Sequence, residues 1–138
     1  MDKGRVGDET RVPIGSDVDI LTARQRGRAL ASELGFPNSS LVLIATAISE
    51  LARNIVLYAK RGEIVLGRIE RDGHEGIQVT ARDEGPGIPD VGLAMQSGYS
   101  TSGSLGLGLP GVRRLMDEFE IVSGAGKGTT VMAKKWKR

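Results

Sequence analysis

The sequence contains no cysteine, which excludes disulfides, thiolate nucleophiles and Cys-based metal sites. It has one histidine, His74, so no site can use two imidazoles. A serine hydrolase would have to recruit its base from a turn-like segment. Aromatics are scarce: two Phe, two Tyr and one Trp. No run approaches the roughly 18 apolar residues of a membrane span, and residues 1–11 lack the apolar segment of a signal peptide. Charge of a single sign is lacking too. Lys and Arg total 19 against 17 Asp and Glu, a formal net charge of +2, which gives no electrostatic support for nucleic acid or a membrane surface as partner. These absences predict a cytoplasmic protein. What is abundant is glycine, 20 of 138 residues, about twice the usual share. The chain therefore has many positions where backbone can bend or approach something closely.

Residues 1–11 read as a flexible N-terminal tail and residues 12–138 as a single domain, long enough to bury a core. Ser16 and Asp19 have the spacing of a capping box. They open a helix predicted over Asp17–Leu34, with Ile20, Leu21, Leu30, Ala31 and Leu34 facing inward and Gly35 and Pro37 as stop signals. A second helix starts after Asn38, Ser39 or Ser40. Its apolar residues Leu41, Ile44, Ile48, Leu51, Ile55 and Tyr58 are spaced by three and four, which is one continuous stripe. Basic residues and Gly62 mark its end. The period then changes to two. Strands are predicted over Glu63–Arg71 and Gly76–Arg82, joined by the turn residues Asp72-Gly73-His74-Glu75. A third helix is predicted over Leu109–Glu118. Strands Phe119–Ser123 and Thr129–Trp136 close the chain around a glycine-rich turn. Hairpin connections predict an α+β two-layer sandwich, with helices on one face of a mixed, mostly antiparallel sheet.

The chemistry concentrates between Asp83 and Gly111, where eight of 29 residues are glycine and no Lys or Arg occurs. Small residues expose backbone N–H groups, and a following helix start adds a positive dipole end, so the segment suits an anion. The alternative is a surface loop. Gly106-Leu-Gly108-Leu-Pro-Gly111 matches the dinucleotide fingerprint by letter but lacks the preceding strand. Gly126-Lys127-Gly128 reads as a hairpin turn rather than part of a Walker loop. Without basic side chains, phosphate charge would need a divalent metal. Mg2+ takes oxygen ligands and keeps waters, so one protein oxygen plus phosphates suffices. Glu50 and Asn54 lie four residues apart, about 6 Å along a helix axis, on one edge of the apolar stripe. They are either boundary residues or the lip of a cleft. Asp83, ending a strand and entering Glu84-Gly85-Pro86-Gly87, either starts an Asx turn or accepts a hydrogen bond from a base amino group.

Glu50-Leu-Ala-Arg-Asn54, Asp83-Glu-Gly85-Pro-Gly87, Gly103-Ser-Leu-Gly106-Leu-Gly108 and Gly128-Thr129 occur in order and spacing resembling the N, G1, G2 and G3 boxes of the GHKL ATPase superfamily, from about Val12 to Trp136. The fuller wording is similar to one branch, the serine/threonine protein kinases that act as switch proteins in bacterial stressosome signalling. The stretches concerned are Ala47-Ile-Ser-Glu-Leu-Ala-Arg-Asn-Ile, Asp83 to Asp90, Ser100-Thr-Ser-Gly and Gly108 to Phe119. The resemblance implies a Bergerat-type fold binding ATP and Mg2+. It makes Glu50 the general base and Asn54 the metal ligand. Asp83 would hold the adenine amino group, with Gly85, Gly87 and Thr129 around it. Ser100, Thr101, Ser102, Gly103, Gly106, Leu107 and Gly108 would form the lid and phosphate loop. Ser104 departs from the glycine common there. The implied substrate is a Ser or Thr of a STAS-domain partner, and the implied downstream target is a PP2C-type phosphatase. Two alternatives share the site: an anti-sigma factor kinase, and a non-catalytic module shaped by nucleotide.

Overall fold

The computed structural model describes residues 5–87, 95, 108–124 and 126–138. In chain order the elements are β1 (Arg5–Ile14), α1 (Asp17–Glu33), α2 (Asn38–Asn54) with a π-helical turn (Ile55–Ala59), β2 (Gly62–Arg71), β3 (His74–Asp83), α3 (Gly108–Leu115), β4 (Glu118–Ser123) and β5 (Thr129–Trp136). The five strands form one sheet in the order β1-β2-β3-β5-β4. All four pairings are antiparallel, so among the described residues the sheet has no parallel component. The helices cover one face, and the fold is the α+β sandwich expected.

The tail expectation is corrected. Residues 5–14 form the edge strand β1, paired with β2 from Arg5↔Glu70 to Ile14↔Gly62, with a register irregularity between Gly7 and Thr10. Polar composition misleads here because an edge strand draws its hydrogen bonds from its neighbour, and charges and bulges are how edges are kept from pairing further.

Helix α1 begins where expected. The Asp19 carboxylate accepts the N–H groups of Gly15 and Ser16 at 2.8 and 3.1 Å, satisfying donors at the helix start. It ends in a Schellman motif, with Phe36 N–H donating to Ala31 O and Gly35 N–H to Ser32 O. Of its expected inner face, Ala31 and Leu34 are buried and Ile20 and Leu30 pack against the core, whereas Leu21 is 51% exposed, and Ala23 and Gly27 are buried in addition. Small residues four apart let α1 sit close on α2: a Cβ at Gly27 would lie 2.1 Å from Ile48 Cδ1.

Helix α2 is the centre of the core. Leu41, Ile44, Ile48, Leu51 and Ile55 are all buried, each worth about 1.5–3 kcal/mol of transfer free energy. The 22 residues Asn38–Ala59 are long and apolar enough, by length and composition, to cross a membrane, contrary to the sequence reading. In this fold they pack against α1, α3 and the sheet. The stripe fails at its last member. Tyr58 is 45% exposed because the helix widens into a π turn after Asn54, which changes the angular step per residue. Lys60, at φ 72°, closes the turn through its N–H to Ile55 O.

Strand periodicity is as expected. Ile77, Val79 and Ala81 are buried under the helices, and Asp72-Gly73 make a two-residue hairpin with both φ positive. Two C-terminal lysines cap helix ends: Lys135 Nζ donates to Leu115 O and Lys137 Nζ to Leu34 O.

Candidate active site

Glu50 lies one turn before the end of α2, at its packing edge with α3. It is 8% exposed, and a buried carboxylate requires partners. Its Oε1 accepts the Gly108 N–H, the first amide of α3, at 3.2 Å. Its Oε2 faces Arg53 Nη1 at 3.4 Å. The carboxylate thus has a backbone partner at one oxygen and a side-chain partner at the other. Asn54 is the last α-helical residue and is half-buried. The π turn follows it directly, a feature frequent at functional sites.

A second group of candidate residues lies at the end of the sheet, beside the π turn. Directly paired residues of an antiparallel ladder share a face, and the pairing Ile14↔Gly62↔Asp83↔Thr129↔Ser123 is the last row on the helix-covered face. Asp83 and Thr129, 46 positions apart in sequence, are thus neighbours by register alone. Gly62 keeps the place beside Asp83 small: a Cβ there would lie 2.9 Å from Ile55 Cγ2 and 3.0 Å from Asp83 Cβ. Asp83 Oδ1 accepts the Gly85 N–H at 2.9 Å, so the Asx turn weighed from sequence does form. Gly85 lies against the π turn, where a Cβ would come within 2.8 Å of Ala59 Cα. Thr129 Oγ1 and Ser123 Oγ are 2.7 Å apart, and Ser123 Oγ donates to Gly128 O at 2.9 Å. That donation uses the serine proton, so the Thr129 hydroxyl is the donor of the pair.

Two glycines hold these segments together. Gly87 has φ +80°, and a Cβ on it would stand 1.9 Å from Gly124 O; Gly128 has φ +75°, and a Cβ on it would stand 2.3 Å from Asp83 O. The Gly126 N–H closes the crossing by donating to Pro86 O at 2.6 Å. The loop after β3 is therefore clamped to the β4–β5 hairpin, on which Gly126-Lys127-Gly128 is the turn expected.

Of the residues singled out by sequence, the structure brings Glu50 to Gly108, Asp83 to Gly85 and Thr129, and Gly87 to the hairpin. Ser100, Thr101, Ser102, Gly103, Gly106 and Leu107 lie outside the described residues. Sequence reasoning missed Arg53, Gly62, Ala59 and Ser123. Arg53, three residues from Glu50, could have been found by helical spacing. The others meet the site only through strand register or chain crossing.

Among the described residues no group of three or more His, Cys, Asp or Glu could hold a metal ion. The donors on α2, a carboxylate and an amide, are hard oxygens. That set fits an ion such as Mg2+ arriving with most of its ligands already supplied by phosphates and water. The Asp83 carboxylate beside a threonine hydroxyl at a sheet end fits the edge of a base.

Residues 17–135 match the family described as Histidine kinase-like ATPase domain. A solved structure of the RsbU and RsbW domains of Rv1364c from Mycobacterium tuberculosis superposes with a TM-score of 0.64 at 24% identity. The match covers 95% of this chain but 33% of that one, and it bears on the fold alone. The chain belongs to the histidine kinase-like ATPase family, the GHKL class. Within that class it is 52% identical over 133 residues to the serine/threonine-protein kinase RsbT of Bacillus subtilis (strain 168), covering 96% of this chain and 100% of that protein. It is 33% identical over 120 residues to an anti-sigma F factor of Geobacillus stearothermophilus, covering 82% and 81%. The chain is an RsbT-type, ATP-dependent protein serine/threonine kinase with a regulatory role.

Proposed function

We propose that this kinase transfers the γ-phosphate of ATP to a serine or threonine of a STAS-domain partner in bacterial stress signalling. As a cytoplasmic switch protein, it then goes on to activate a PP2C-type phosphatase. The observation that carries the reading is the buried Glu50 carboxylate, one turn before Asn54 and held at the first amide of α3.

In the reaction the acceptor hydroxyl attacks the γ-phosphorus. The bond from that phosphorus to the β–γ bridging oxygen breaks, ADP leaves, and Glu50 takes the hydroxyl proton directly or through water. Asn54 would supply the protein oxygen for a bound Mg2+, which would contribute neutralisation of phosphate charge. Asp83 orients the adenine amino group, with Gly85, Gly87 and Thr129 shaping its surroundings. Phosphate binding is assigned to residues 100–108, the small-residue segment that leads into α3. The domain's contribution is positioning and electrostatics, which suffice for a transfer needing little covalent help.

The test is incubation with labelled ATP, Mg2+ and a purified STAS-domain protein. Phosphoserine or phosphothreonine on that protein, absent with Glu50→Ala, is the expected result. An unmodified partner in the presence of bound ATP rejects the substrate assignment. The anti-sigma F relatives support a second reading, kinase activity coupled to sigma-factor binding. Pull-down with purified sigma factors separates the two.

A further inference from the structure

We propose that Arg53 is a positioning residue for phosphoryl transfer, holding the Glu50 carboxylate in its productive orientation; the inference rests on the reading of Glu50 as base. The Glu50 carboxylate is anchored at both oxygens. Oε1 is fixed by backbone, through Gly108 N–H at 3.2 Å, and Oε2 by side chain, through Arg53 Nη1 at 3.4 Å. The last torsion of a glutamate is broad and roughly two-fold, so one anchor alone leaves the plane of the carboxylate free to turn. Two anchors on opposite oxygens fix the plane and hence the direction of the remaining lone pairs. A general base needs that direction, because the proton must travel along a hydrogen-bond line about 2.6–3.2 Å long.

The alternative is that Arg53 merely complements the C-terminal dipole of α2, as a cation in a last turn does. Three observations favour positioning. Glu50 is nearly enclosed, so each of its partners matters. The Arg53 side chain remains 42% exposed while reaching inward to a single carboxylate oxygen. The segment from Asp83 to Val112 contains no Lys or Arg, so this guanidinium is cationic support that the glycine-rich loop does not provide. A dipole complement would act on helix stability and be indifferent to Glu50.

The experiment measures ADP formation from Mg-ATP, which counts turnover whether the acceptor is the STAS-domain protein or water. Arg53→Met, Arg53→Gln and Arg53→Lys are compared at a temperature where circular dichroism shows each variant folded. The expected result for Arg53→Met is a kcat lowered about tenfold, a fraction of what a general base contributes, with KM for ATP within about twofold. Lysine restores most of the loss and glutamine less. In a Glu50→Ala background, Arg53→Met changes the residual rate less than about twofold. An unchanged kcat overturns the proposal. So does an equal loss in both backgrounds, or a raised KM at constant kcat, since either means direct contact with nucleotide. Full turnover by Glu50→Ala alone overturns the reading of the base and the proposal with it; an inactive Glu50→Ala beside an unaffected Arg53→Met overturns the proposal only.

Discussion

Gly87→Ala is the most demanding test of how the site is assembled. The native φ of +80° is left-handed, which costs an L-residue about 1–2 kcal/mol. The new methyl would also stand 1.9 Å from Gly124 O, well inside the 3.0 Å that real Cβ atoms respect. The obstacle is backbone, so the two loops must part by about 1 Å, and the 2.6 Å bond from Gly126 N–H to Pro86 O is lost for about 1 kcal/mol. A total near 3 kcal/mol is expected, with Asp83 and Thr129 displaced from register and ATP affinity reduced. Gly73→Ala is the control. Its φ is +82°, yet nothing lies within 4 Å of the added carbon, so only the same conformational cost of about 1–2 kcal/mol applies. Urea unfolding at neutral pH gives both stabilities, and titration calorimetry gives ATP binding. If Gly87→Ala destabilises no more than Gly73→Ala, the clamp between the loop after β3 and the β4–β5 hairpin is not what holds the site.

The remaining tests follow from single side chains. Asp83→Asn removes the charge from the acceptor at the sheet end and is expected to weaken ATP binding about tenfold or more, since charged acceptors add about 1.5–3 kcal/mol; unchanged affinity by calorimetry would put the adenine elsewhere. Asn54→Ala should leave Mg2+-free nucleotide binding intact while turnover loses its metal dependence, read from rates across a Mg2+ titration. Trp136→Phe tests acid stability. The Glu118 carboxyl is held below its usual range, first by the Trp136 indole N–H at 2.7 Å and then by Arg71. A lowered folded-state value gives stability that is present above the unfolded carboxylate range and is lost as pH falls through the folded value. The variant should therefore be less stable than the parent at pH 7, with the gap narrowing below about pH 4. A gap that stays constant between pH 7 and pH 3 in urea unfolding would show that the indole acts by packing and not through Glu118.

The sequence by itself determined those features whose causes lie within a few residues. The spacing of Leu41 to Ile55 dictates which face of α2 is buried, because a 3.6-residue period needs no partner to be read. Asp72-Gly73 dictate a tight hairpin because both residues tolerate positive φ. Gly35 ends α1, and Glu50 and Asn54 share an edge of their helix. Tertiary structure decided the rest. β1 is a strand because β2 offers it hydrogen bonds, not because residues 5–11 are apolar. Leu21 is outside and Gly27 inside because α2 comes close enough to reward the smaller residue. Tyr58 leaves the stripe because the helix widens at Asn54. Above all, the site is made by encounters between distant segments: Gly108 with Glu50, 58 positions apart, Asp83 with Thr129 through strand register, and Gly87 with the carbonyl of Gly124. Local pattern shows which residues can bear chemistry; only the folded chain fixes which backbone amide and which neighbouring strand each of them meets.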